Sequence, residues 1–160
     1  MTRLPLLGGM ALLLVGCGGG DSTGPPTVPD IAGTYQGEVS ATASSAVASQ
    51  NLGTFPATAT ISQQKSNVSI VVVPPQGGAL SLSGTIAVGG AITLDDEAGL
   101  TLLQGALPQC SFAGASSTNR ASLTQGRLIL TANIVGASCP WVESNGAFLP
   151  TTFVVRFEGT

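Results

Sequence analysis

The sequence predicts an all-β fold, a single small antiparallel meander, and three observations predict it. Short segments in which apolar and polar residues alternate recur along the chain, the signature of half-buried strands. The breaks between them are Gly-rich, Pro-rich or polar, as at Lys65-Ser66-Asn67, residues 74–78, Gly89-Gly90 and Gln125-Gly126. Charged residues make up only 8 %, and no long helical period is present. At 160 residues the chain has room for one domain with a modest core.

The first strand is expected over residues 34–43, with Gly37 and Ala41 turned inward, and the second over 57–63, with Ala57 and Ala59 inward. Residues 68–73 carry β-branched side chains on both faces from Ile70 to Val73, so this strand is central or shielded, and Pro74-Pro75 ends it. In residues 80–88, Leu80, Leu82, Gly84, Ile86 and Val88 share one face, and Ser81, Ser83, Thr85 and Ala87 the other. Further strands are expected at 91–94, 100–104 and 121–124. Residues 127–135 alternate again, with Leu128, Leu130, Ala132 and Ile134 together, and residues 152–158 align Phe153, Val155 and Phe157. A meander of about eight such strands closes into a barrel, the arrangement favoured here, or splits into a two-sheet β-sandwich. The small inward residues Gly37, Ala41, Ala57, Ala59 and Gly84 permit close-packed walls or an empty pocket.

Gly33, Tyr35 and Gly37 open the first strand. This resembles the start of lipocalin-like barrels, which read Gly, any residue, Trp, with Tyr here in place of Trp. The resemblance implies a closed barrel with an arginine near its end packed on that aromatic. Arg156 is the candidate, although its parity opposes the Phe153 and Phe157 face.

At the N-terminus, Arg3 precedes an apolar run over residues 4–15, broken only by Pro5 and two glycines. At about 1.5 Å per residue a helix of this length falls short of a hydrocarbon core of roughly 30 Å. The run ends in Leu14, Val15, Gly16 and Cys17, which resembles the lipobox of bacterial lipoproteins. That resemblance implies a signal peptide over residues 1–16 and a mature chain that begins at Cys17. The Cys17 thiol would carry the lipid, with diacylglyceryl and palmitate chains fixing it to a bilayer. Gly18 in place of Asp implies the outer membrane, with the protein facing the periplasm. Residues 17–29 are then anchor and flexible linker, and residues 30–160 the β domain; twelve such linker residues reach on the order of 20 Å.

Cys110 and Cys139 remain as an even pair in an exported chain and are expected to form a disulfide that closes a loop of about thirty residues. The bridge should pin residues 111–120, read as irregular, and Trp141 beside it should pack on the bridge. No histidine occurs, which removes the commonest general base and metal ligand, so neither catalytic nor metal residues are expected and no cofactor is implied. Ser62-Gln63-Gln64-Lys65 matches Ser-x-x-Lys but reads as strand end and turn, and Asp21-Ser22-Thr23-Gly24 lies in the linker. Asp95, Asp96 and Glu97 read as a solvated hairpin turn, and Glu143-Ser144-Asn145-Gly146 as another. A net charge of −3 without a basic cluster excludes nucleic acid as a partner. The sequence thus points to a membrane-anchored, non-catalytic envelope lipoprotein, binding a small apolar ligand in its barrel or contacting another envelope protein.

Overall fold

A computed structural model describes residues 27–75, 78–95 and 98–160. The strands are β1 (Gly33–Ser44), β2 (Ser49–Gln64), β3 (Asn67–Val73), β4 (Leu80–Ile86), β5 (Ile92–Leu94), β6 (Ser116–Thr124), β7 (Arg127–Pro140) and β8 (Phe148–Gly159). Each pairs antiparallel with the next, and β8 pairs back with β1, so the ring is a closed up-and-down barrel and the sandwich alternative is excluded. Two-residue turns drive the meander: Gln125 and Gly126 both take positive φ (52° and 79°), the hand that matches strand twist.

The expected alternation holds where it was clearest. Leu128, Leu130, Ala132 and Ile134 all point inward and are buried, as are Phe153, Val155 and Phe157. Ile70 and Val72 of the central β3 are buried too, while Val73 stands half exposed on the outer wall. β4 ends at Ile86, because Ala87 to Ala91 form a turn closed by main-chain hydrogen bonds, and Val88 is exposed there instead of sharing the inward face.

Residues 100–104 are not a strand. They lie in α1 (Ala98–Ala106), the one α-helix among the described residues, inserted between β5 and β6. Leu100, Leu103 and Leu107 fall at i, i+3 and i+7 and all join the core, a helical spacing. Residues 116–120 are not irregular either: they form the first half of β6, paired with β7 from Val135 to Thr131. β2 likewise begins eight residues before 57, held by its pairing with β1. β7 runs five residues past 135 through a bulge at Gly136 (φ 82°), a backbone conformation that glycine adopts freely and other residues resist.

The core divides in two along the barrel. Ile31, Ala59, Ile61, Ile70, Leu82, Ile86, Leu128 and Phe157 fill the end where the chain enters. Ala43, Leu103, Phe112, Ile134, Cys139, Trp141 and Phe153 fill the other. Residue 27 onward enters at the first end, which is fixed because the Gln63 side chain donates to the Pro29 carbonyl (3.0 Å) and accepts from the Ile31 N–H (2.9 Å).

Candidate functional site

Two features stand out once the ring is closed: a small apolar cavity between the core clusters, and overhanging strands at the end opposite the chain's entry. Between the two core clusters lies a cavity of about 30 Å³, lined by apolar side chains that include Val39, Val72, Leu82, Leu130, Val155 and Phe157. That is room for a water or two, whereas sites for drug-sized ligands run to several hundred Å³. Asn119 also borders it, but its amide is already engaged: Nδ2 donates to the Asp95 carbonyl (2.8 Å) and Oδ1 accepts from the Ser117 hydroxyl (3.2 Å).

The small inward residues account for the tightness. A side chain at Gly37 would collide with the Glu158 carbonyl, and one at Gly84 with that of Thr93, so both glycines permit close approach of neighbouring strands. Ala57 and Ala59 are buried on the same inward face as Gly37, whose strand pairs with theirs.

The distal end is held by chemistry that the cysteines announce. Cys110 and Cys139 form a disulfide, with Cα atoms 4.3 Å apart and 29 residues between them in sequence. Beside it Ser111 and Ser138 exchange both main-chain hydrogen bonds (2.7 and 2.8 Å). The bridge therefore ties the segment after α1 onto β7. Leu103 from α1 and Phe112 from that segment plug the barrel, and the Phe112 ring lies 5.8 Å from that of Phe153. Trp141 is buried in the same cluster as Cys139, and its indole N–H donates to the Thr151 hydroxyl (2.9 Å).

Main-chain polarity reveals a feature that residue patterns did not. Gln36 exchanges both main-chain hydrogen bonds with Thr160 (2.9 and 3.0 Å), so even-numbered β1 residues address β8 and odd-numbered ones address β2. On β2 the even residues from Thr54 to Gln64 therefore face β3. β3 stops at Val73 opposite Thr58, so the distal part of β2 has no strand partner on that edge among the described residues. Pro56 sits on that edge at a position whose N–H would point outward, and Leu52, opposite no β1 residue, bulges it. β8 overhangs β1 in the same way beyond Thr152, and there Pro150 faces the open side, because Ser138 opposite it is bonded to Ser111 instead. Each overhang thus carries a proline where an N–H would otherwise be offered to a passing strand.

Other residues singled out from sequence are placed as follows. Arg156 does not pack on Tyr35: it lies on the outer wall, where it bonds Glu158 (2.7 Å), and Arg127 pairs with the same carboxylate. Its parity decided this, since residues alternating with Phe157 must face solvent. Tyr35 donates its hydroxyl to the Ile31 carbonyl (2.9 Å), and burial, then the Asp30 carboxylate, raises its pKa above the ordinary value. Asp95 accepts from the Ser83 hydroxyl (2.7 Å) on the wall; Asp96 and Glu97 lie outside the described residues. Ser62 to Gln64 end β2 and Lys65 is in the turn; Asn145 and Gly146 take positive φ in the turn after a 3₁₀ segment (Val142–Ser144). Cys17, the lipobox and Asp21 to Gly24 lie outside the described residues.

No family model matches the chain, and comparisons with curated proteins and with solved structures find no significant match.

Proposed function

We propose that this chain is a membrane-anchored, non-catalytic lipoprotein of the cell envelope, held to the outer membrane through acylated Cys17 and working by contact with another envelope protein. The observation that carries the choice of contact over enclosure is the interior. The cavity between the two core clusters holds only about 30 Å³, as in an eight-stranded barrel whose inward residues interdigitate. A surface platform needs rigidity rather than volume, and the plugged, disulfide-tied distal end supplies it. The anchor rests on the Leu14-Val15-Gly16-Cys17 resemblance. Labelled palmitate is expected to enter the wild-type chain, and Cys17→Ser is expected to leave the membrane fraction; unlabelled protein would end this reading.

The apolar lining of the cavity supports a second reading, in which a small hydrocarbon lodges between the two clusters. It requires the clusters to part, and mass spectrometry of lipids retained on the purified protein tests it directly.

A further inference from the structure

The outer wall formed by β1, β8 and β7 is graded along its length. Near the chain's entry it carries Glu38, Arg127, Arg156 and Glu158, with Glu158 bonded to both arginines. Toward the distal end the outward positions of β8 become Val154, Thr152, Pro150 and Phe148, and the neighbouring positions offer Thr42, Ser44, Asn133, Val135, Ser138 and Pro140. The strand positions in that half, on β1, β7 and β8, carry no charged residue. Phe148 on β8 is 59 % exposed; at the tip beyond Pro140, Val142 is exposed too, beside the exposed Glu143. Val135 and Val154 are exposed as well, so three of the eight large apolar residues exposed among those described lie on this one wall.

We propose that this wall is the contact surface between two copies of the chain, arranged about a two-fold axis that runs along the barrel. The proposal rests on the contact reading above and names its partner. Three features single out a second copy. The described chain begins at the opposite, charged end, where the Pro29 to Gln63 bonds fix it, so copies anchored in one bilayer stand side by side with their apolar halves level. A two-fold along the barrel sets the β1 flank of one copy, bearing Glu38, against the β7 flank of the other, bearing Arg127, so the charged half is complementary to itself. Strand addition is the rival mode of association, and Pro56 and Pro150 oppose it on both overhangs. A contact of faces remains, uncharged in its distal half and charged in the half near the chain's entry.

A symmetric axis passing near β8 brings like residues together, which a cysteine can report. In membranes holding the full anchored chain, Val154→Cys is expected to give a disulfide-linked species of twice the monomer mass under mild oxidation. Thr85→Cys, exposed on β4 across the barrel, is expected to stay monomeric. Adding Phe148→Asp to Val154→Cys should cut the cross-linked fraction at least fivefold while leaving circular dichroism unchanged. Val154→Cys cross-linking no faster than Thr85→Cys would overturn the proposal, as would a cross-link indifferent to Phe148→Asp. A monomer that still takes up palmitate would sink the two-fold contact and leave the anchor standing; an unlabelled chain that still cross-links in detergent would do the reverse.

Discussion

Trp141 and Thr151 illustrate how single residues hold this small core. A buried indole N–H left without an acceptor costs about 1–3 kcal/mol, so Thr151→Val, which keeps the shape but removes the hydroxyl, is expected to lower stability by that amount in urea unfolding. Phe153, almost fully buried with its ring tilted against that of Phe112, is a larger loss: Phe153→Ala should cost about 3–5 kcal/mol through the cavity it leaves. Tyr35 makes stability depend on pH on the alkaline side. Its pKa is raised above 10.0 in the folded chain, so its contribution is whole below that value and is lost as pH climbs through the folded pKa. Unfolding midpoints should therefore fall between pH 9 and pH 11, and fall less in Tyr35→Phe. At this scale the inward aliphatic and aromatic residues were legible from alternation alone. Ser117 and Asn119 were not, because polar residues point inward only when partners elsewhere in the chain, here each other and the Asp95 carbonyl, satisfy them.

Elements were legible in proportion to their own apolar content. β4, β7 and β8 advertise themselves, whereas the Ser49-to-Pro56 half of β2 and the Ser116-to-Arg120 half of β6 look like loops and are strands only because β1 and β7 pair with them. α1 was misread because Leu100 and Leu102 fit a period of two; Leu107, just past the helix, completes a period of 3.6 that a longer window would have weighed. The disulfide was readable by counting, its location at the plug was not. Replacing Cys110 and Cys139 together by Ala is expected to cost roughly 3–4 kcal/mol in the chain-entropy account, read from thermal unfolding. Pro56→Val would place an N–H on the edge of β2 that has no strand partner among the described residues. Light scattering of the purified variant should show association that rises with concentration, where the wild type shows less.

For the whole molecule, closure into one ring was foreseeable from many short strands with tight turns, and the small size of its cavity was not, because volume depends on how opposite walls approach. The ring is unevenly laced. β7 and β8 share eleven paired positions, while β5, three residues long, meets β6 through two pairs only, Ile92 with Ala121 and Thr93 with Arg120. A hoop fails at its weakest stave. Under heat, force or dilute denaturant the wall should part first along that joint, so amide protons of Ile92 to Leu94 should trade with heavy water well before those of β8. What opens there is a curled sheet with unequal margins, the three residues of β5 on one side and the nine mostly polar residues of β6 on the other, so the shorter lip gives a neighbouring molecule little to grip.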